Sequence, residues 1–199
     1  MKKNYFFKFL LFLIPVSAFV LMSSSGGRDD GRTGSPGDGG ATCSACHSGG
    51  SNGASVAITT NIPNSGYDLN TEYDVTVTLA SNTSTSGFQL TAEKVSNNAK
   101  IGTFTAGAGS RVTGQRVTHS GTGQKTWSFK WTSPSTDQSQ VKFYAASVAA
   151  DGTGGTSGDQ VVTTSTSVGS LRISEANRLD FTMYPNPSSE EMVTIQLPT

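Results

Sequence analysis

Both cysteines of the chain and one of its two histidines fall within one pentapeptide, Cys43-Ser44-Ala45-Cys46-His47. Two cysteines separated by two residues and followed directly by histidine form the attachment pattern of c-type haem. In this interpretation the thiols of Cys43 and Cys46 bond to the two vinyl groups of the porphyrin, and His47 becomes the proximal iron ligand. The small side chains between the cysteines leave room for the porphyrin edge. The pentapeptide therefore predicts covalently bound haem c.

A second axial ligand is predicted at His119, which is the only other histidine of the chain. The four methionines all lie at or near the N-terminal apolar run or in the C-terminal tail, whereas His119 falls among the predicted strands. Ligation by two histidines would give a lower reduction potential than ligation by histidine and methionine. The alternative is that His119 is a surface loop residue.

Two other interpretations of the cysteines stay open. A disulfide between Cys43 and Cys46 would close a small ring, whose contribution to loop entropy is small. A thioredoxin-like exchange role is disfavoured because no strand-to-helix junction surrounds the pair. A zinc ion held by Cys43, Cys46, His47 and His119 has suitable ligand types, although adjacent ligands at positions 46 and 47 would strain a tetrahedral site.

The remaining acidic residues indicate no catalytic constellation, and the sequence predicts that the protein is not an enzyme. Asp151 and Asp159 flank a glycine-rich segment and could bind Ca²⁺ through oxygen ligands. A nucleotide site in that segment is disfavoured, because no helix follows it and no lysine is placed to meet a phosphate.

Length, charge and the N-terminus predict an exported protein. The chain has 199 residues and a formal net charge of zero, which argues against nucleic-acid binding. Lys2 and Lys3 precede an apolar run that ends near small residues, so residues 1–24 are predicted to be a secretory signal peptide. A transmembrane anchor is the alternative for this run. No other apolar run is long enough to span a membrane, and exported thiols do not stay free without protection.

The rest of the chain predicts an all-β fold behind an irregular leader. Residues 25–53 are rich in glycine and contain almost no apolar side chains. Residues 54–170 contain short alternating segments, such as Glu72–Leu79 and Trp127–Trp131, separated by turn residues. The pattern is typical of an antiparallel β-sandwich of about seven or eight strands. Residues 107–123 fit either a strand pair or an extended loop, and Val161 with Thr163 is expected to close the set.

Two stretches resemble known families. The first runs in order through seven short motifs over roughly residues 31–170, and it resembles bacterial "choice-of-anchor V" domains. These motifs are Cys43-x-x-Cys46-His47, Tyr73–Val77, Gly87–Leu90, His119, Trp127–Trp131, Phe143–Ala146 and Ser157–Asp159. Such domains look like relatives of the reeler domain, so the resemblance implies an extracellular, immunoglobulin-like β-sandwich.

The second stretch lies at the C-terminus. Tyr184-Pro185-Asn186-Pro187 and the alternating residues after it, within residues 178–199, resemble the start of a type A C-terminal sorting domain of the type IX secretion system. The resemblance implies a secreted or outer-membrane surface protein of a Gram-negative bacterium, with surface anchoring through this domain.

Two functions are compatible with these observations. The first is an exported, haem-bearing electron carrier with an unknown redox partner, in which Cys43, Cys46, His47 and His119 hold the haem. The second is a non-enzymatic adhesion or matrix-binding module that recognises an extracellular ligand, in which Cys43 and Cys46 form a disulfide.

Overall fold

The structure is a computed structural model that describes residues 26–171, 182–184 and 194–196. The predicted signal peptide at residues 1–24 lies outside the described residues, as does most of the predicted sorting domain at 178–199. The described elements are two single-turn 3₁₀ helices, Pro36–Asp38 and Cys43–Ala45, and the strands β1 (Ser48–Gly49), β2 (Ser55–Thr60), β3 (Glu72–Ala80), β4 (Thr85–Lys94), β5 (Thr103–Thr105), β6 (Ser110–Thr113), β7 (Arg116–His119), β8 (Thr126–Thr132), β9 (Gln140–Ala150), β10 (Ser157–Gly169), β11 (Thr182–Tyr184) and β12 (Thr194–Gln196).

Two sheets form the predicted β-sandwich. One sheet has six strands in the order β1-β10-β9-β4-β7-β6, and the other has four in the order β2-β3-β8-β5. All pairings within these sheets are antiparallel except that of β1 with β10, which is parallel. The all-β prediction is confirmed. Strands β11 and β12 form a separate antiparallel pair. No helix in the described part of the chain is long and apolar enough to cross a membrane.

The core lies between the two sheets and follows the predicted alternation. On β3, Tyr73, Val75, Val77 and Leu79 are buried while their neighbours are mostly exposed. The aromatic residues of β8 are also buried, because one face of each strand points inward and the other is wetted. Trp127 stacks on Phe88 of β4 with ring centroids 4.5 Å apart, so the largest side chains link the two sheets.

The sandwich of the described residues has ten strands, which is more than the seven or eight predicted. Residues 107–123, for which a strand pair and an extended loop were both considered, contain a strand pair. Strand β6 pairs with β7, and β7 pairs with β4. On β10, Val162 and Val168 pack against the core, so the expectation for Val161 and Thr163 was wrong by one position. A shift of one residue in a strand exchanges its two faces, and weakly apolar strands specify this choice poorly.

Strand β4 is buried on both faces, which simple alternation does not predict. Its outward face is covered by residues 26–47, here called the strap. The Gln89 carboxamide accepts a hydrogen bond from the backbone N–H of Arg32 at 2.5 Å and donates to the backbone oxygens of Arg28 and Asp30. Further along β4, the Glu93 carboxylate accepts from the backbone N–H of Gly37 at 3.1 Å. The glycine-rich leader therefore lies against the sandwich and brings the cysteines to it.

Candidate functional site

The Cys-x-x-Cys-His pentapeptide forms a tight 3₁₀ turn at the end of the strap. The Thr42 hydroxyl caps the turn by accepting from the backbone N–H of Ser44 at 3.2 Å. The carbonyl oxygen of Cys43 accepts from the backbone N–H groups of both Cys46 and His47, at 3.2 and 3.0 Å. The turn curls the chain so that both cysteines and the histidine border one cavity.

That cavity has a volume of about 560 Å³, within the usual range for small-molecule and cofactor sites. Its walls are the 3₁₀ turn, the start of β4, the ends of β7 and β9, and the glycine-rich loop between β9 and β10. His119 from the end of β7 also lines it. The structure therefore brings together all four predicted site residues, Cys43, Cys46, His47 and His119, on one cavity.

His47 is held by a buried carboxylate. Its Nδ1 lies 2.6 Å from Oδ2 of Asp159, which is on β10, 112 positions along the chain. Asp159 is 1% exposed, and its other oxygen accepts from the backbone N–H of Asp151 at 2.9 Å. Nε2 of His47 makes no hydrogen bond within the described part of the chain. The imidazole is therefore fixed through one nitrogen and has the other free.

His119 is held in a comparable way by the backbone of β4. Its Nδ1 accepts a hydrogen bond from the backbone N–H of Phe88 at 3.0 Å and also lies 3.1 Å from the carbonyl oxygen of Phe88. Burial lowers the pKa of His119, although the hydrogen bond to Phe88 opposes this effect. The imidazole is therefore neutral at physiological pH, which is the form that binds a metal. Its Nε2 also makes no hydrogen bond among the described residues.

Glycine at position 87 makes room for this imidazole. A Cβ added at Gly87 would lie 2.5 Å from Cε1 and 2.8 Å from Nε2 of His119. Such distances are well inside van der Waals contact, so any larger residue would displace the ring. Gly87 is the residue on β4 next to Phe88, whose backbone holds Nδ1, and the two together place the imidazole against the sheet.

Positive charge also borders the cavity. Arg28 and Arg32 of the strap both line it, and both pair with the carboxylate of Asp30, at 2.6 and 2.7 Å. Hydrogen bonding to Arg28 lowers the pKa of Asp30 to about 2 although its desolvation opposes the shift, so the carboxylate is charged at neutral pH. The two guanidinium groups therefore share one carboxylate beside the cavity, and the carboxylate of Asp159 also lines it.

The two thiols are free in the structure, so the disulfide expected in the adhesion hypothesis is not formed. Cys43 is half-buried and Cys46 is exposed. Burial raises the pKa of Cys43 to about 11, and its Sγ lies 3.9 Å from the carbonyl oxygen of Arg32. A thiol that stays protonated is a poor nucleophile for disulfide exchange, which agrees with the absence of a thioredoxin-like context.

The zinc hypothesis finds no support in this geometry. Across the described residues, no group of three His, Cys, Asp or Glu side chains is arranged to hold a single metal ion. Tetrahedral zinc needs four such ligands at one point. A haem iron needs only two axial nitrogens, while the cysteines bond to the porphyrin edge, so a haem requires no such cluster. The cavity is bordered by two imidazoles whose Nε2 atoms make no hydrogen bond among the described residues, and by two free thiols.

The two carboxylates proposed for Ca²⁺ already have protein donors. Asp159 accepts from His47 and from the backbone of Asp151, as described above. The Asp151 carboxylate accepts from the backbone N–H and the hydroxyl of Thr153, at 2.9 and 2.8 Å, and these hydrogen bonds lower its pKa. The glycine-rich loop between these residues forms a wall of the cavity instead of enclosing a separate site.

Sequence reasoning missed the residues that support the site. Arg28 and Arg32 lie outside the motifs named from the sequence. Gly87 and Asp159 lie within two of the motifs of the family resemblance, and Asp159 was considered only as a Ca²⁺ ligand. Neither motif indicated that Gly87 makes room for His119 or that Asp159 contacts His47.

Comparison with known proteins gives a family and a set of structures. Residues 43–153 match the reeler domain family. The crystal structure of the human F-spondin reeler domain is 17% identical with a TM-score of 0.47, and the match covers 62% of this chain and 92% of that one. The Reelin-N domain of F-spondin is 17% identical with a TM-score of 0.48, covering 63% and 91%. A DUF4466 family protein from Parabacteroides merdae is 13% identical with a TM-score of 0.38, covering 65% and 46%. A search of curated proteins finds no significant match.

Proposed function

The chain belongs to the reeler domain family, whose members are extracellular β-sandwich modules, and we propose that this member carries a covalently attached haem c and transfers electrons outside the cytoplasm. The match begins at Cys43, the first residue of the haem-attachment pattern. In this proposal the sandwich is the scaffold and the cavity beneath the strap is the cofactor site.

One observation carries the proposal. Two histidines from distant parts of the chain line the same cavity, and each has Nδ1 engaged by the protein and Nε2 free. Histidines that ligate a metal usually donate the other ring N–H to a carboxylate or a backbone carbonyl, because this fixes the tautomer and the ring orientation. His47 has this kind of support from Asp159, whereas Nδ1 of His119 accepts from the backbone N–H of Phe88 and also lies near the carbonyl oxygen of that residue.

Each residue of the cavity has a role in this proposal. Cys43 and Cys46 bond to the porphyrin vinyl groups, which also explains how an exported protein keeps two unpaired cysteines. His47 and His119 would hold the iron. Arg28 and Arg32 meet the negative charge of the propionates. The haem supplies a one-electron change at iron, and the protein around it sets the potential and limits the access of water.

Export completes the proposal. Residues 1–24 would direct the chain out of the cytoplasm, where haem attachment takes place. The tail from residue 178 would lead it to the surface of a Gram-negative bacterium through the type IX route. The choice-of-anchor V resemblance and the alternating residues after Pro187 support this location. The protein is proposed to act as a non-enzymatic carrier for a separate redox partner.

The second candidate is an adhesion or matrix-binding module, and membership of the reeler family favours it. In this alternative the sandwich surface recognises an extracellular ligand and the cavity holds no haem. Free thiols at Cys43 and Cys46 do not support the disulfide that this alternative includes. The two candidates therefore differ in the chemical state of the cysteines in the exported protein.

The test is the mass of the exported chain from cells that mature c-type cytochromes. The proposal expects the mass of the processed polypeptide plus one haem, and a haem stain that survives denaturing electrophoresis. The control is the double variant Cys43→Ser, Cys46→Ser from the same cells, which must lack both signals. A wild-type mass equal to that of the bare polypeptide would overturn the haem proposal and leave the adhesion module.

A further inference from the structure

Asp159 stands out among the charged residues of the sandwich. Its carboxylate is buried, at 1% exposure. Burying a carboxylate is costly, so such groups are nearly always paired with a cation or with several donors. Among the described residues, the only ion-pair partner of Asp159 is His47. The other hydrogen bond that its carboxylate accepts among these residues comes from the backbone N–H of Asp151.

The other buried acids of the chain are arranged differently. Glu93 pairs with Lys100 at 2.7 Å, and Asp38 pairs with both Lys100 and Arg116. These acids meet permanent cations and connect the strap to the sheet. Asp159 meets an imidazole instead, and that imidazole borders the cavity. If Asp159 served only to link the 3₁₀ turn to β10, its partner would not need a second ring nitrogen that is free of hydrogen bonds.

We propose that Asp159 is a positioning residue that fixes the Nδ1–H tautomer of His47, directs Nε2 at the iron and makes His47 a stronger electron donor. This inference rests on the proposed haem function. A carboxylate that accepts the Nδ1–H bond raises the basicity of a ligating imidazole, and a more basic axial ligand stabilises the oxidised iron. His119 has only a backbone partner for its Nδ1, so the two axial ligands are unequal and the stronger donor is on the cysteine side.

The geometry of the loop supports the same role. The backbone N–H of Asp151 holds Oδ1 of Asp159, which leaves Oδ2 to face His47. Asp151 itself is exposed, and among the described residues its carboxylate accepts hydrogen bonds only from Thr153. Asp151 and Asp159 are thus close in the fold, but of the two only Asp159 contacts His47. Asp151→Asn is therefore a matched control that removes one negative charge from the same loop without touching His47.

The first experiment uses the haem-free full chain and does not depend on the cofactor. Nitrogen-15 NMR of the imidazoles distinguishes the Nδ1–H from the Nε2–H tautomer. The expected result is the Nδ1–H tautomer for the neutral form of His47 in the wild type and in Asp151→Asn, and mixed tautomers in Asp159→Ala. An Nε2–H tautomer in the wild type would overturn the inference, whether or not the protein ever binds haem.

The second experiment uses the haem-loaded protein. Asp159→Asn keeps a hydrogen-bond acceptor but removes the charge, so the reduction potential is expected to rise and the electron paramagnetic resonance g-values to shift. Asp159→Glu is expected to restore part of both changes, and Asp151→Asn to change neither to the same extent. Equal shifts in Asp159→Asn and Asp151→Asn, or no shift in either, would overturn the inference while leaving the haem in place. A wild-type protein without haem would instead refute the proposed function.

Discussion

The imidazole of His119 lies directly over Gly87, in the space that a side chain at position 87 would occupy. The ring is held there by the backbone of Phe88 on the same strand. A residue with no side chain and a neighbouring backbone group therefore decide together where the second histidine of the cavity sits. The proposed distal ligand depends on β4 as much as on its own strand β7.

We expect Gly87→Ala to displace the His119 ring and to remove it from the iron. Because the ring is the end of a flexible side chain, the fold should tolerate the change while the Soret band shifts towards that of a five-coordinate haem. The control is Gly121→Ala, since a Cβ at position 121 meets no atom within 4 Å and requires no left-handed backbone. Absorption spectra of the two purified variants provide the measurement, and identical spectra would contradict the placement of His119.

Replacing His119 itself tests the distal ligand directly. His119→Ala should give a five-coordinate haem that remains covalently attached, because attachment depends on Cys43 and Cys46. His119→Met should give a higher reduction potential if methionine replaces histidine at iron. Redox titration and absorption spectroscopy check both results. A spectrum of His119→Ala that matches the wild type would show that His119 is not an iron ligand and has only a structural place at the end of β7.

The cluster under the strap should contribute strongly to stability. Lys100 is 13% exposed and lies between the carboxylates of Glu93 and Asp38, at 2.7 and 2.8 Å. Removing one partner of a buried ion pair leaves an uncompensated charge and costs about 3–5 kcal/mol. We therefore expect Lys100→Ala to lower the free energy of unfolding by about that amount. Its urea unfolding midpoint should move to a lower urea concentration.

The matched control for this prediction is Lys130→Ala. Lys130 pairs with Asp74 at 2.7 Å, but both side chains are largely exposed, so their pairing is screened by water. We expect no clear change in its unfolding midpoint. Equal midpoints for the two variants would mean that the cluster under the strap contributes no more than a surface pair.

The same cluster predicts an acid-sensitive strap. Burial of Asp38 raises its pKa, but hydrogen bonds from Arg116, Lys100 and Thr33 outweigh burial and hold the pKa well below its ordinary range. A carboxyl group with a depressed pKa in the folded state stabilises the fold above its unfolded pKa, near 3.9, and this stabilisation is lost as the pH falls towards the folded pKa. The free energy of unfolding should therefore fall below about pH 4–5.

Asp38→Asn should remove the part of this acid dependence that Asp38 causes and should lower stability at pH 7, whereas the part due to Asp30, whose pKa is also lowered, should remain. Equilibrium unfolding between pH 2 and 7 is the measurement. A variant whose profile retains the full acid slope of the wild type would show that other carboxyl groups cause it.

Gln89 is expected to hold the strap next to the cysteines. Its carboxamide is 2% exposed and makes three hydrogen bonds to the strap backbone at Arg28, Asp30 and Arg32. Gln89→Ala would leave these backbone groups without partners, at a cost of about 1–3 kcal/mol. Hydrogen exchange should show faster opening of residues 26–47 with little change in β3 and β8. Uniform acceleration across the sandwich would indicate a global effect instead.

Several features were accessible from the sequence because they depend on neighbours in the chain. The spacing within Cys43–His47 predicts haem attachment without reference to the rest of the chain. The alternation on β3 and β8 identifies their buried faces because side chains alternate along any strand. The alternation did not predict the burial of β4, because the strap forms a third layer over the outward face of that strand. On β4, Gln89 and Glu93 are buried because the strap covers them, and polar residues on an outward face give no sign of that cover.

What the sequence alone indicated is local: a Cys-x-x-Cys-His pattern typical of haem attachment, an N-terminus typical of exported proteins and an all-β scaffold. Only the tertiary structure decided which distant residues complete the site. It brought Asp159 to His47 across 112 positions, placed His119 over Gly87, and closed the cavity with the glycine-rich loop. The physical reason is that these contacts arise from strand order and from the path of the strap over the sheet. Both are properties of the whole packing, which the spacing of residues along one segment does not encode.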